Sequence, residues 1–110
     1  MDITGREAGD LLGMLERGEI SAQELMRATL DRIAASNGVL NAIVDLRDEE
    51  VLMQEARAAD AAPTRGALHG LPMAVKDLAN VAGLPTSQGS PLFAGQVAQK
   101  DDLHVARMRA

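Results

Sequence analysis

The sequence predicts an α/β fold in which helices come first and strands follow. Three observations predict it. Capped segments with apolar residues at helical spacing fill most of the first 62 positions. Two short apolar runs, residues 39–44 and 71–75, are bounded by turn residues in the way buried strands are. The second run stops abruptly on Lys76-Asp77, where a strand would leave the core, and α/β folds place reactive groups at such strand ends.

The elements follow in order. Thr4-Gly5-Arg6-Glu7 fits a capping box with Thr4 as N-cap, and Leu11, Leu12 and Leu15 follow at helical spacing up to a stop at Gly18. Gly9 and Gly13 each weaken this helix by about 1 kcal/mol relative to alanine. Ser21-Ala22-Gln23-Glu24 is a second capping box, opening a run with Leu25, Met26, Thr29, Leu30 and Ile33 on one face. Asn37-Gly38 is expected to end that run, because both residues tolerate positive φ. Residues 39–44 then read as a short strand. Asp48 caps a third helix, with Glu49 and Glu50 at the positive end of its dipole, continuing through Val51, Leu52, Glu55, Ala56 and Ala59 to Ala62. Residues 63–66 are a turn that leads to the second strand. Residues 91–99 read as loop with one helical turn around Phe93. Asp102 is the expected N-cap of a helix that begins at Leu103 and shows no stop signal at Ala110.

Composition bounds the function. The 110 residues suit one small domain, and 46% of them are hydrophobic. One Phe, no Trp and no Tyr leave the core to aliphatic residues and six Met, a thin core that suits one layer of something larger. A net charge of −5 with scattered basic residues argues against a nucleic-acid footprint. The absence of Cys removes disulfides, thiolate metal sites and a cysteine nucleophile. His69 and His104 are too far apart in sequence to announce a metal site, and no glycine cluster has the spacing of a phosphate loop. No metal and no cofactor are therefore expected. No run approaches a membrane span, the amino terminus lacks the regions of a signal peptide, and the cytoplasm is the default compartment.

Lys76 is the one residue that the pattern offers as catalytic. A lysine acts as a base only through its neutral population, which apolar surroundings or a nearby positive charge enlarge. The plainer alternative is a solvated lysine paired with Asp77 or another carboxylate, and spacing alone favours it. Ser87 and Ser90 lie in the glycine-bearing loop that follows. A Ser–Lys pair is a known catalytic arrangement, but turn formation through bonds to local backbone is the favoured reading for both.

Leu68-His69-Gly70-Leu71-Pro72, Val75-Lys76-Asp77, Val81-Ala82-Gly83-Leu84-Pro85-Thr86 and Gly89-Ser90 together resemble the amidase signature family of carboxamide hydrolases. The likeness extends loosely upstream through Leu40-Asn41-Ala42 to Asp60, and downstream through Asp101-Asp102 and Val105-Ala106-Arg107. It covers most of the chain but only the opening part of a much longer family domain. The resemblance implies a truncated domain, its N-terminal helices plus the first strands of a mixed sheet. Residues 1–62 would be a helical scaffold with a short strand, and residues 63–110 would bear the lysine, the Gly/Pro loop and the start of a helix. It also implies that Lys76 belongs to a Ser–cis-Ser–Lys triad whose serines map nowhere in these residues. The chain alone would then be inactive. Asp77, kept by the family, is implied to have a structural role beside the lysine.

Departures from the family pattern are Ser87, where threonine is frequent, Ala79 and Asn80 after Leu78, and Pro91. Pro91 tilts the expectation toward a plain amidase acting on a small amide, rather than the amidotransferase subunit that acts on aminoacyl-tRNA. The rival from another class is a non-catalytic remnant or interaction module that self-associates through exposed apolar surface.

Overall fold

A computed structural model describes residues 2–110. The chain divides into two compact units, one reaching Pro72 and the other running from Met73 to Ala110. Each is built differently.

The N-terminal unit is three helices, preceded by a 3-10 turn at Ile3–Gly5: α1 (Ala8–Glu16), α2 (Ala22–Leu40) and α3 (Glu49–Ala61). The capping box at Ser21 forms as expected. The hydroxyl accepts from the N–H of Glu24 at 3.0 Å, and the Glu24 carboxylate accepts from the N–H of Ser21 at 2.8 Å. Asp48 likewise caps α3 through the N–H of Glu50. Gly18, at φ +69°, closes the end of α1. Thr4 does not cap α1. Its hydroxyl donates instead to Asp2, which caps the 3-10 turn, and α1 starts at Ala8 without a side-chain cap.

Leu11, Met14, Leu15, Ile20, Ala22, Leu25 and Ala56 form the core, with Ile3, Met26, Ala59 and Leu71 packed against it. The 68–71 segment is seated on this core. His69 Nε2 donates to the carbonyl of Ala59 at 2.6 Å, and Gly70 takes φ +82°. A Cβ there would lie 3.3 Å from the Cβ of Ala22 and 3.4 Å from Leu15. Close approach and backbone conformation both require glycine at that point.

Asp60 ties the two long helices together. From the last turn of α3 it accepts the N–H of Ala22 at 2.7 Å and both the N–H and the side-chain amide of Gln23, so it satisfies two open donors in the first turn of α2. Partial burial pushes its carboxyl up, but the bonds from the Gln23 side chain and the two N–H groups outweigh it and hold the carboxyl below the ordinary range. Replacing Asp60 by Asn is expected to destabilise the protein by about 1 kcal/mol at neutral pH, the usual worth of a helix cap at an exposed site. A depressed carboxyl stabilises above its unfolded value of ~3.9 and loses that contribution as pH falls through the lower folded value. The gap between wild type and Asp60→Asn in urea denaturation should therefore be full at pH 7 and shrink as the pH falls below the unfolded value of ~3.9. A gap that widens on acidification would refute this assignment.

The predicted strands do not form. The described residues contain helices and loops and no strand, so the α/β expectation and its mixed sheet are corrected to a helical fold. Residues 39 and 40 are the last turn of α2, which passes Gly38 and ends at Asn41 with φ 49°. Asn37, expected to stop the helix, does something else. Its side-chain amide donates to the carbonyl of Ile43 at 2.9 Å and accepts from the N–H of Ile43 at 2.8 Å. That consumes the ladder groups of Ile43, next to last in the expected strand. Val39, Leu40, Val44 and Leu46 consequently remain exposed. Residues 71–76 carry no ladder partner, Pro72 has no N–H to give one, and Met73 is half exposed. The isolated bridge that does occur, antiparallel between Pro85 and Val97, lies elsewhere.

The second unit consists of loops, a 3-10 turn at Pro91–Phe93 and the short helix α4 (Leu103–Arg109). The turn around Phe93 and the start of α4 both match expectation. Residues 83–86 pair with 96–98 through bonds from Gly83 N–H to Ala98, Thr86 N–H to Gln96 and Ala98 N–H to Leu84. Carboxylates before α4 hold the neighbouring loop. Asp101 accepts from the N–H of Ala82 at 2.7 Å, and Asp102 accepts from the N–H of Asn80 at 2.8 Å. Asp102 therefore precedes α4 as predicted but spends its side chain on Asn80, not on its own helix.

Candidate functional site

Lys76 opens the second unit's first turn. Its carbonyl accepts from the N–H groups of Leu78 at 2.7 Å and Ala79 at 3.1 Å, so the backbone folds back immediately after the lysine. The side chain is exposed and makes no hydrogen bond or ion pair with any described residue. The apolar surroundings that a buried strand would have supplied are not present. Of the plainer alternative, the solvent exposure is present and the pair with Asp77 or another described carboxylate is not.

Asp77 is committed to the loop beyond. Its Oδ1 accepts from the N–H of Ser87 at 2.8 Å, and its Oδ2 accepts the Ser87 hydroxyl proton in a short bond. The Ser87 hydroxyl, followed by the N–H groups of Ser87, Gln88 and Gly89, holds the Asp77 carboxyl below its ordinary range. Gln88 and Gly89 both take positive φ, 53° and 68°, which turns their N–H groups inward around the carboxylate. Ser87 thus serves the loop, as the sequence favoured, through a partner that the sequence did not name. Ser90 also has a local role, accepting from the N–H of Leu92 at the head of the 3-10 turn. Neither serine is placed against Lys76.

Thr86 is the residue that sequence reasoning passed over. It is 7% exposed, and its hydroxyl has no partner among the described residues. A buried hydroxyl without a partner costs about 1–3 kcal/mol. Thr86→Val, which keeps the shape and removes the hydroxyl, is expected to raise the unfolding free energy by about 1 kcal/mol in urea titration. A loss of stability would mean that the hydroxyl has a partner in solution. The only signal in the sequence was its place at the end of Val81-Ala82-Gly83-Leu84-Pro85-Thr86.

Among the described residues no group of three or more His, Cys, Asp and Glu is arranged to hold a metal ion. No helix of the described residues is long and apolar enough to cross a membrane. His69 is held by Ala59 within the N-terminal unit.

Comparison with known proteins gives a consistent result. The family model described as Amidase matches residues 24–110. The A-type subunit of glutamyl-tRNA(Gln) amidotransferase from Salinispora arenicola is 40% identical to this chain over 113 aligned positions, covering 99% of the chain and 23% of that protein. The protein of the same name from Salinispora tropica is 38% identical with the same coverage. That of Chromohalobacter salexigens is 39% identical over 91% of the chain and 21% of its own length. The chain thus spans less than a quarter of the length of these curated relatives.

Proposed function

This chain belongs to the amidase family, and from that premise we propose that it carries the terminal base of a carboxamide hydrolysis, Lys76. In the proposed reaction a serine Oγ attacks the amide carbonyl, the C–N bond breaks, and ammonia or an amine leaves with a proton. Water then attacks the acyl-serine and releases the acid. Lys76 would exchange the proton with that serine through a second, bridging serine, and both serines lie in sequence that these 110 residues do not contain.

One observation carries the reading. Val75-Lys76-Asp77 falls inside the matched span, and there Lys76 is exposed, with no hydrogen-bond or ion-pair partner among the described residues, while the adjacent carboxylate is occupied by Ser87. Asp77 therefore does not neutralise the lysine, which is left free to meet a partner from outside these residues.

The test is a chimera in which the 110 residues replace the matching segment of the Salinispora arenicola relative. It should release ammonia from a simple carboxamide, and the purified 110-residue chain should not. The reading fails if the isolated chain hydrolyses amides and Lys76→Ala abolishes that activity, because a nucleophile would then lie within it.

The relatives' name supports a finer version, in which the segment belongs to the A-type subunit of an amidotransferase concerned with glutamyl-tRNA(Gln). With a net charge of −5, this segment would leave contact with tRNA to other parts. Its compartment on either version is the cytoplasm. The reading as an interaction module rests on Val39, Leu40 and Val44, which are 90%, 69% and 68% exposed. It predicts a mass that rises with concentration in sedimentation equilibrium and returns to the monomer value in Leu40→Ser.

A further inference from the structure

We propose that Asp77 is a positioning residue, whose carboxylate, clamped across the loop to Ser87, fixes the turn from which Lys76 projects. The proposal rests on the reading of Lys76 as a base. A lysine side chain has four rotatable bonds, and a proton carrier is effective only when held within hydrogen-bond reach of its partner. The chain must therefore anchor the backbone at residue 76 to something rigid, yet residues 71–76 have no ladder to do so.

The anchor is a short series of contacts. The carbonyl of Lys76 is pinned by the N–H groups of Leu78 and Ala79. Asp77, inside that turn, grips the N–H and the hydroxyl of Ser87. Ser87 is itself fixed on both sides. Its hydroxyl accepts from the N–H of Gly89 at 3.3 Å, and its carbonyl accepts from the N–H of Ser90 at 2.9 Å. Thr86, buried, bonds through its N–H to the carbonyl of Gln96 at 2.9 Å. The lysine's backbone is thus tied through one carboxylate to the buried end of the 83–86 pairing. The same contacts explain why Asp77 is not the lysine's ion-pair partner: its oxygens face the loop.

Two readouts test the clamp. In the 110-residue chain, backbone 15N order parameters at residues 76–79 should sit at ~0.85 and fall below ~0.6 in Asp77→Asn and in Ser87→Ala. Ser87→Thr keeps the hydroxyl and should restore rigid values. In the chimera, Asp77→Asn and Ser87→Ala should each lower kcat about 10- to 100-fold, the usual effect of losing a group that orients a reactive side chain, with KM held within about twofold. Unchanged order parameters, or a loss of rigidity that leaves kcat unchanged, would overturn the proposal. So would a loss of rate in Asp77→Asn that Ser87→Ala does not share. Full turnover in Lys76→Ala would instead overturn the reading of Lys76 as a base, whatever the order parameters show.

Discussion

Lys76→Ala in the chimera is expected to lower kcat/KM for a simple carboxamide by at least about 10³-fold, which is about 4 kcal/mol of transition-state stabilisation. The melting temperature should not move. The loss of rate follows from the proposed role as base, and the unchanged stability from a side chain that is exposed and makes no hydrogen bond or ion pair with any described residue. Substitutions at such positions stay within about 0.5 kcal/mol of wild type. A lysine kept for an ion pair would give the opposite pattern, some loss of stability and little loss of rate.

Lys76→Arg sharpens the result. A guanidinium keeps the charge but cannot give up its proton at any ordinary pH. If Lys76 acts as a base, the arginine variant should be as inactive as the alanine variant. If Lys76 only supplies positive charge, the arginine variant should retain most of the rate. Steady-state ammonia release from wild type and both variants separates the two outcomes, and retention of activity in Lys76→Arg would end the proton-transfer assignment.

What was legible in the sequence divides by range. Contacts within a few residues were readable: the Ser21–Glu24 box, the Asp48 cap and the turn at Phe93 all stand where the pattern put them. Contacts between distant residues were not. Asp60 reaches back to Ala22 and Gln23, Asp77 reaches forward to Ser87, Asp101 to Ala82 and Asp102 to Asn80. Each of these carboxylates closes open backbone N–H groups, and none of the pairings leaves a periodic trace. The same logic explains the failed strands. Periodicity reports that a segment is apolar and bounded, but a strand also needs a neighbour with free ladder groups. Residues 39–44 lost theirs to the end of α2 and to Asn37, and residues 71–75 have no neighbour among the described residues. The lysine itself was found by motif. Its surroundings were not, because they were inferred from the strand that is absent.

Leu25→Ala should be the most damaging single substitution in the N-terminal unit, costing about 2–5 kcal/mol. Leu25 is 2% exposed, the most buried of the large core side chains. It belongs to a seven-residue cluster in which Ala22 and Ala56 already contribute little volume. No aromatic side chain takes part in that cluster. The space left by removing Leu25 would be lined by short aliphatic chains held on α1, α2 and α3, which can collapse only by moving the helices. For a unit of this size, each 1 kcal/mol lowers the melting temperature by about 4–8 °C. A loss of about 3 kcal/mol should thus lower it by at least about 12 °C. Leu25→Met, which conserves volume, should cost less than about 1.5 kcal/mol. Val39→Ala, at a position 90% exposed, should cost almost nothing although it lies on the same helix. Denaturant titration of the three variants ranks them. If Val39→Ala proved as costly as Leu25→Ala, the apolar surface around residues 39–46 would be covered in solution, and the core of this unit would extend beyond the cluster around Leu25.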